Sequence, residues 1–356
     1  MKILQVITSL STGGAEKIVV ELSLALKALG HEVDVCVFSG GNTLFKKKLV
    51  DGGCKVIEFS QKNNVYSIKN LIHLKRLIHN YDIVHTHNSS PQLYAAIASL
   101  FTNVKLITTE HSTNNRRRKW SWYKLIDRWM YGRYDHVVCI SEIAEKKLKE
   151  YISLDNVNIS TINNGVDVQK FANAEPVPAL LESDFFHVVM IAGFREAKDQ
   201  DTLIKAISLL PSNFKLWLVG DGIRRPELEK KVTDLGVSTR VTLMGLRSDV
   251  PNILKSADVV VMSSHWEGLS LSNIEGMSSG KPFVASEVNG LKEVTADYGI
   301  LFPHGDAKSL ADVIKKLHDD SEYYHQVAER CYQRALQYDI RKMVDAYEQL
   351  YDAVQQ

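Results

Sequence analysis

The sequence predicts an α/β protein built from two parallel-sheet halves, and three observations lead to that prediction. Over residues 1–165, short apolar runs alternate with segments of helical periodicity, which implies crossover connections between parallel strands. The alternation stops around Gly165-Val166-Asp167 and later restarts, so the chain carries two such halves joined by a linker. From Asp306 onward the periodicity is helical, which predicts C-terminal helices.

The first half contains seven predicted strands separated by helical segments. Its first helix is expected at 15–29, because Ile18, Leu22 and Leu26 recur at helical spacing and Gly30 follows as a C-terminal cap. The predicted strands are 3–8, 33–38, 55–59, 82–87, 105–110, 136–140 and 157–162.

The second half begins after a loop-like, proline-containing segment at 173–178. We expect domains at 1–170 and 171–335, and a last helix at 336–356 that packs back toward the first domain. The predicted strands of the second half are 187–192, 215–220, 241–245, 259–264, 282–286 and 299–302.

The composition limits the function classes. With 356 residues, 45% hydrophobic residues and a net charge of +1, the chain is typical of a globular protein and unlike a dedicated nucleic-acid binder. Its four cysteines lack the close pairs of a zinc or redox motif, so reduced core thiols are expected. The N-terminus is typical of a first strand and not of a signal peptide, and no apolar run approaches the roughly 20 residues of a membrane-spanning helix. We therefore expect a protein that stays inside the cell.

The most informative stretch places Glu267 and Glu275 eight positions apart across a predicted strand–loop–helix junction. A β-branched apolar run at 258–264 precedes Glu267. Glu275 lies within a short helix-compatible segment at 273–279. The carboxyl edge of an open α/β sheet is where ligands bind. The residues alone leave two interpretations open: a glycosidase-type acid and base, or two carboxylates that accept hydrogen bonds from sugar or ribose hydroxyls.

Two loops carry further candidate chemistry. Gly13 and Gly14 follow the first strand and open a helix, where backbone N–H groups could receive phosphate, although a tight structural turn explains them equally well. Arg195 and Lys198 follow the first strand of the second half and could neutralise a diphosphate, or simply form a solvated charged loop. His87 and His111 each come at the end of a strand, so either could be a polar ligand contact or a structural histidine.

A basic, tryptophan-rich segment runs from Arg116 to Arg133 and contains three of the five tryptophans. Such a segment suits an anionic membrane surface. Nucleic-acid binding could use the same chemistry, and a half-buried amphipathic helix would produce the same pattern. Of these partners we favour the membrane and expect no nucleic acid.

The motifs together resemble the retaining glycosyltransferases of family 4, which have the GT-B fold. The resemblance covers essentially the whole chain, in the right order. It implies two Rossmann-like domains facing a central cleft, and transfer of a sugar from a nucleotide donor with retention at the anomeric carbon and without a catalytic metal or cofactor. The motifs are Gly13-Gly14-Ala15-Glu16, Thr109-Glu110-His111, Asn164-Gly165-Val166-Asp167, the Arg195/Lys198 loop, Val219-Gly220-Asp221-Gly222 and the two glutamates.

The resemblance also implies roles for individual residues. Glu267 would hold the donor-sugar hydroxyls and Glu275 the ribose, while Lys198 and Arg195 would stabilise the leaving diphosphate and His111 would face the reacting sugar. Family members commonly carry arginine where this chain has Gly193, so we expect Arg195 to substitute for it or Lys198 to act largely alone. The remaining residues expected to bind the nucleotide sugar are Gly13, Gly14, Leu246, Arg247, Ser270, Leu271, Ser272 and Asn273.

We accordingly predict transfer to a glycan or lipid-linked acceptor, in surface polysaccharide or glycolipid synthesis, at the inner face of the membrane. A UDP-sugar is favoured over a GDP-sugar as donor. Two alternatives stay open: a sugar-nucleotide epimerase of the same architecture, and a non-catalytic subunit that binds a sugar nucleotide.

Overall fold

The computed structural model describes residues 1–11, 13–60, 64–112, 118, 120, 122–153, 157–267 and 270–356. The chain divides into two compact units. Unit 1 comprises Met1–Asn164 together with Arg341–Gln356, and unit 2 comprises Gly165–Ile340. Each unit is a parallel sheet covered by helices, so the predicted fold of two Rossmann-like domains is confirmed.

The sheet of unit 1 has seven strands in the order β3-β2-β1-β4-β5-β6-β7. Every described pairing in it is parallel, as expected for strands joined by crossover helices. The middle strands of this sheet are largely buried because both faces are covered, and β1, β4 and β5 include buried polar residues beside the apolar ones. The strands are β1 (Lys2–Ser9), β2 (Glu32–Ser39), β3 (Lys55–Glu58), β4 (Ile83–His87), β5 (Lys105–Glu110), β6 (His136–Cys139) and β7 (Ile159–Thr161).

The helices of unit 1 follow its strands in alternation. The first begins at Gly14, and Gly30 adopts a φ of +93° just beyond its end, which confirms the predicted glycine cap. The helices are α1 (Gly14–Ala28), α2 (Leu44–Asp51), α3 (Ile68–Leu77), α4 (Ser89–Ala98), α5 (Tyr123–Tyr131) and α6 (Glu142–Ile152).

Unit 2 has six parallel strands in the order β10-β9-β8-β11-β12-β13. The strands are β8 (Phe186–Ile191), β9 (Phe214–Val219), β10 (Val241–Gly245), β11 (Val259–Met262), β12 (Phe283–Ser286) and β13 (Ile300–Phe302). The helices are α7 (Val168–Ala172), α8 (Gln200–Leu209), α9 (Arg225–Asp234), α10 (Val250–Ser256), α11 (Leu271–Ser278), α12 (Lys292–Thr295), α13 (Ala307–Asp319) and α14 (Ser321–Leu336).

The last helix, α15 (Ile340–Gln355), carries the chain back to unit 1. Its side chains Tyr347 and Tyr351 are buried to 1% and 0% exposure. They hydrogen-bond to Thr109 and His85 of the unit 1 sheet. The C-terminal helix is therefore part of the unit 1 core.

The strand orders create one reversal point in each sheet. In unit 1 it lies between β1 and β4, and in unit 2 between β8 and β11. The connections that leave two such strands go to opposite sides of the sheet, which opens a crevice at their carboxyl ends.

The four cysteines are all buried and free, as predicted for core thiols. Among the described residues, no helix is long and apolar enough to cross a membrane.

Candidate active site

The reversal point of the unit 2 sheet brings two of the predicted site residues into contact. Lys198 ends a short helical turn after β8, and Glu267 lies in the loop after β11. Lys198 Nζ donates a hydrogen bond to Glu267 Oε1, although 69 positions separate the two residues in the chain. Their side chains are 24% and 9% exposed, so the ion pair is largely shielded from water. The sequence predicted both residues but not their pairing.

Further hydrogen bonds fix the two loops that carry this pair. Ser264 Oγ donates to Glu267 Oε1 at 2.7 Å. The amide of His265 donates to the carbonyl oxygen of Ala197 at 2.9 Å, which joins the loop after β11 to the loop after β8. Asp199 has a φ of +46° and caps α8 with its carboxylate, so Lys198 leaves the helix end in a defined direction. Lys198 and Glu267 are thus positioned by their own loops.

The glycines of the motif after β9 permit close packing against the Lys198 loop. Gly220 has a φ of +139°, and a Cβ there would lie 2.1 Å from the carbonyl oxygen of Ala192. A Cβ at Gly222 would lie 2.4 Å from the carbonyl oxygen of Phe194. A side chain at either position would keep the two backbone segments apart. These close contacts therefore explain why both positions are glycine.

Arg195 passes close to the position where the family commonly has arginine. The side chain is exposed, and its Nε lies 3.9 Å from where a Cβ on Gly193 would be. The nearest backbone atom to that Cβ is the carbonyl oxygen of Asp221 at 3.7 Å, an ordinary van der Waals distance. Gly193 has no positive φ among those recorded for the chain. Nothing in its surroundings therefore requires glycine.

The predicted residues of α11 lie at the start of that helix, beside the Glu267 loop. Asn273 is fully buried, donates from Nδ2 to Thr295 Oγ1 at 3.3 Å, and has no hydrogen-bond partner on Oδ1 among the described residues. Glu275 is 6% exposed and Leu271 and Ser270 are each 9% exposed. Ser272 is half-buried. Gly268 and Leu269, which connect Glu267 to this helix, lie outside the described residues.

Leu246 and Arg247 lie apart from these groups. They follow β10, which is three strands from β11 in the sheet. Leu246 is 78% exposed, while Arg247 donates to Asp249 at 2.6 Å and thereby lowers the pKa of that carboxyl. The structure does not bring either residue to the Lys198–Glu267 pair.

In unit 1 the predicted glycine loop starts α1. Gly13 precedes the helix and Gly14 is its exposed first residue. The Glu16 carboxylate folds over Gly13, where a Cβ would lie 2.2 Å from its Oε2, and burial raises the pKa of this carboxyl. Because Glu16 is a flexible side chain, it can move aside from the helix N-terminus. Thr12, in the same loop, lies outside the described residues.

His111 follows β5 and is joined to His87 at the end of β4. The distance from His111 Nε2 to His87 Nδ1 is 2.8 Å, while His111 Nδ1 is buried without a partner among the described residues. Burial lowers the pKa of His111 to about 4, against a smaller opposing effect of the Glu110 carboxylate. Both imidazoles are therefore neutral at neutral pH. The sequence indicates both histidines as candidates. It gives no reason to connect them to Gln5 of β1, whose Oε1 lies 2.8 Å from His87 Nε2.

A second group of ionisable residues beside the Lys198 loop has the composition of a metal site. Asp199, His265 and His304 bring three potential ligand atoms within 4.8 Å of one another. The distance from His265 Nδ1 to His304 Nε2 is 2.5 Å, however. Two nitrogens that each lie about 2.1 Å from a zinc ion in tetrahedral geometry are much farther apart than this. The pair is better described as a direct hydrogen bond, and the absence of a catalytic metal stays a prediction.

Comparison with known families adds the decisive observation. Residues 12–170 match the family model Glycosyltransferase Family 4, and residues 173–334 match the model Glycosyl transferases group 1. The two models together cover most of the chain in the order that the motifs predict. The chain belongs to this glycosyltransferase family. The predicted family and the predicted enzyme class are confirmed.

Individual relatives of the glycosyltransferase agree with this assignment. The UDP-Gal:alpha-D-GlcNAc-diphosphoundecaprenol alpha-1,3-galactosyltransferase of Escherichia coli is 30% identical over 75% of this chain and 74% of its own length. The lipopolysaccharide core biosynthesis glycosyltransferase LpsE of Rhizobium meliloti is 38% identical over 46% and 49%. The structure of Anabaena Alr3699/HepE in complex with UDP-glucose has a TM-score of 0.83 at 22% identity, over 99% of this chain and 100% of that chain, which shows a shared fold. These similarities favour sugar transfer over the epimerase and binding-subunit alternatives.

The basic aromatic segment of the glycosyltransferase has one buried and one exposed face. Asp127, Met130 and Tyr131 of α5 are buried. On the other side, Trp122, Leu125 and Trp129 recur at helical spacing and are 58%, 72% and 43% exposed.

Two features qualify the predicted basic character of this segment. Arg118 is committed to a buried ion pair, because its Nη2 lies 3.1 Å from Glu110 Oε2 and the two side chains are 11% and 6% exposed. Its charge is therefore not available to a lipid surface. Arg116, Arg117, Lys119 and Ser121 of the predicted segment lie outside the described residues.

Proposed function

We propose that this glycosyltransferase transfers a sugar from a UDP-sugar to a glycan or lipid-linked acceptor, with retention and without a metal, in surface polysaccharide or glycolipid synthesis. The observation that carries the proposal is the Lys198–Glu267 pair at the reversal point of the unit 2 sheet. At this edge a cation can bind the phosphate end of a sugar diphosphate, and a carboxylate can accept hydrogen bonds from the hydroxyls of its sugar end.

The chemistry requires stabilisation of a departing nucleoside diphosphate. Lys198 and Arg195 supply positive charge to the phosphate oxygens, which lowers the barrier to leaving-group departure without a metal ion. The N-terminal amides of α11 and the side chains of Ser270, Ser272 and Asn273 add hydrogen bonds to the phosphates and ribose. Asn273 Oδ1, which has no hydrogen-bond partner within the part of the chain that the structure describes, supports this role because a ligand donor would satisfy it.

The two glutamates hold hydroxyl groups in this proposal. Glu267 accepts hydrogen bonds from the donor sugar and Glu275 from the ribose, while His111 contacts the reacting sugar. Without a donor, Lys198 and Glu267 compensate each other's charge, so neither is left unpaired in a shielded site. Gly13 and Gly14 let the α1 N-terminus approach the diphosphate, and Leu246 and Arg247 border the base.

The donor and acceptor classes rest on the relatives. The E. coli relative is named for a UDP-sugar donor and a diphosphoundecaprenol acceptor, and the Anabaena structure holds UDP-glucose. We extend this chemistry to the present chain as a UDP-sugar donor and a lipid-linked glycan acceptor. The exposed face of α5, formed by Trp122, Leu125 and Trp129, supports peripheral binding to an anionic membrane where such an acceptor resides. The proposal therefore includes a location at the inner face of the membrane.

Nucleoside diphosphate release with a panel of UDP-, GDP- and ADP-sugars tests the function. We expect release with a UDP-sugar in the presence of a lipid-linked acceptor. Lys198→Ala and Glu267→Gln should each lower kcat/KM by about a hundredfold or more, since removal of one charge-stabilising group commonly costs this much. No binding and no release with any donor would overturn the proposal.

A matched ion pair elsewhere in unit 2 serves as the control. Lys215 pairs with Glu182 at 2.5 Å, near the amino-terminal ends of the strands. Lys215→Ala removes a similar Lys–Glu pair away from the carboxyl edge and should leave turnover within about twofold, since surface pairs contribute little. Equal losses for Lys198→Ala and Lys215→Ala would indicate a general effect on folding.

A further inference from the structure

A chain of buried polar side chains crosses the interior of the unit 1 sheet and ends at His111. We call it the histidine chain. Polar side chains in the interior of a covered sheet are costly unless each hydrogen bond is made, so the pattern of donors and acceptors is constrained. Its members, in order, are Thr109, His85, Tyr351, Gln5, His87 and His111.

Successive members lie within hydrogen-bonding distance along the whole chain. His85 Nε2 lies 2.7 Å from Thr109 Oγ1, and His85 Nδ1 lies 2.6 Å from the Tyr351 hydroxyl. Gln5 Nε2 donates to the same hydroxyl at 3.2 Å. Gln5 Oε1 lies 2.8 Å from His87 Nε2, and His87 Nδ1 lies 2.8 Å from His111 Nε2. Gln5, His85 and His87 are each 0% exposed.

The orientation of the Gln5 amide determines which nitrogen of each histidine carries a proton. Its Oε1 can only accept, so His87 must carry a proton on Nε2. A neutral His87 then has a lone pair on Nδ1, which accepts from His111 Nε2–H. A neutral His111 that is protonated on Nε2 has a lone pair on Nδ1.

His111 Nδ1, at the end of the histidine chain, favours this direction of donation over the reverse. If every bond were reversed, His111 Nδ1 would carry a buried N–H. His111 Nδ1 has no partner among the described residues. An unpartnered buried N–H is rarer than an unpartnered acceptor. With the amide in this orientation, the Tyr351 hydroxyl accepts from Gln5 Nε2–H, so its own proton is available to His85 Nδ1.

Burial keeps the imidazoles neutral, as this arrangement requires. It lowers the pKa of His85 to about 3 and that of His111 to about 4, and it moves the pKa of His87 well below its usual value. The Glu110 carboxylate opposes the shift at His111 only in part. At neutral pH the histidine chain therefore has N–H and O–H groups to donate but no net charge.

We propose that Gln5 and Tyr351 are positioning residues that hold His111 as the neutral Nε2–H tautomer, so that its Nδ1 accepts a hydrogen bond from a hydroxyl of the reacting sugar. The sugar contact rests on the proposed function, whereas the tautomer does not. A tautomer fixed in advance of binding spares the enzyme a proton rearrangement when the donor arrives. Because Tyr351 belongs to α15, the C-terminal helix takes part in setting the chemistry at His111.

Long-range nitrogen–proton NMR of the donor-free protein labelled at histidine tests the tautomer directly. His111 is assigned by the signal lost in His111→Gln. We expect the neutral Nε2–H pattern for the wild type near neutral pH, and a mixture of tautomers for Gln5→Met and Tyr351→Phe. An Nδ1–H or charged His111 in the wild type would overturn the proposal, and so would an unchanged tautomer in Gln5→Met.

Tyr347→Phe provides the matched control. Tyr347 lies one turn from Tyr351 on the same helix and is equally buried, and its hydroxyl is within hydrogen-bonding distance of Thr109, at the far end of the histidine chain, at 2.9 Å. Its loss should leave the His111 tautomer unchanged. A tautomer change equal to that in Tyr351→Phe would show that any cavity at α15 suffices and would overturn the specific role of Tyr351.

Kinetics test the sugar contact separately. Gln5→Met should lower kcat about tenfold with the donor KM changed by less than about threefold, because one hydrogen bond is lost mainly in the transition state. If Gln5→Met shifts the tautomer but leaves kcat unchanged, the sugar contact is wrong. Absence of turnover with every donor would instead contradict the proposed function, while the spectra still decide the tautomer.

Discussion

At the scale of single residues, we propose that Arg195 supplies the charge that family members commonly carry at the position of Gly193. The Arg195 side chain passes 3.9 Å from where a Cβ on Gly193 would lie. Arginine has a long side chain with a planar donor group, so a shift of two positions in the backbone does not prevent it from reaching the same anion. Lys198, held against Glu267, is fixed much more tightly than Arg195.

An arginine exchange between these positions tests the substitution. Arg195→Ala should lower kcat/KM by about ten- to a hundredfold, since a charge-assisted hydrogen bond is lost. Adding Gly193→Arg to that variant should restore most of the activity, because the site at Gly193 has room for a side chain. Steady-state rates of nucleoside diphosphate release, with melting temperatures for both variants, provide the measurement. No loss in Arg195→Ala would mean that Lys198 acts alone.

At the scale of elements, α5 has a buried face and an exposed apolar face. Its buried residues, among them Met130 and Tyr131, pack into unit 1, and its opposite face presents Trp122, Leu125 and Trp129. Such a surface is costly in water, and it gains free energy when inserted at a lipid interface. The same sequence pattern had allowed a half-buried amphipathic helix. The structure shows that half-burial still leaves an apolar face exposed.

Vesicle binding tests the role of this face. The double variant Trp122→Ser/Trp129→Ser should bind vesicles that contain phosphatidylglycerol at least about tenfold more weakly than the wild type, because two large apolar side chains no longer insert. Wild-type binding should also weaken with added salt. Phe101→Ser is the control, because Phe101 is 96% exposed but lies outside α5. Equal binding to phosphatidylcholine vesicles would remove the electrostatic part of the proposal.

At the scale of the whole molecule, the two units differ in how they use buried polar groups. The histidine chain crosses the sheet of unit 1 and includes a residue of α15, so the last helix is linked to the sheet by hydrogen bonds as well as by apolar contact. The Lys198–Glu267 pair of unit 2 instead lies at the carboxyl edge of the sheet. This contrast predicts that acid affects the two units unequally.

The stability of unit 1 should fall as the pH decreases below about 6.5, the usual pKa of histidine in an unfolded chain. The folded pKa of His85 is about 3, so between these values the unfolded state binds the extra proton and unfolding becomes more favourable. At about pH 5 the loss should be about 2 kcal/mol from His85, with further losses from His87 and His111.

Hydrogen exchange, corrected for the intrinsic pH dependence of the amides, measures this effect. Between about pH 7.5 and about pH 5, protection should fall more in peptides from β4 and β5 than in peptides from β8 and β9. His85→Gln should reduce the pH dependence of unit 1 by about one proton, even if the variant is less stable overall. Equal losses of protection in both units would contradict the assignment to the histidine chain.

Much of the fold and part of the candidate site were predictable from local patterns. The thirteen strands that the described residues form all overlap the predicted segments, because each apolar run with flanking turn residues carries its own signal. Glu267, Lys198 and His111 were identifiable because motifs at the carboxyl ends of strands are short and continuous in sequence. Leu246 and Arg247 were named in the same way; they follow β10, three strands from β11, and their role at the base stays a prediction.

The sequence by itself determined the α/β class, the two sheets, the family and the positions of the main candidate residues, since these depend on periodicity and on contiguous motifs. Only the tertiary structure decided that Lys198 pairs with Glu267 and that Gln5 and Tyr351 are joined to His111. Gln5 and Tyr351 are 346 positions apart. The physical reason is that a hydrogen bond between distant residues depends on strand order and side-chain direction, and neither leaves a local pattern in the chain.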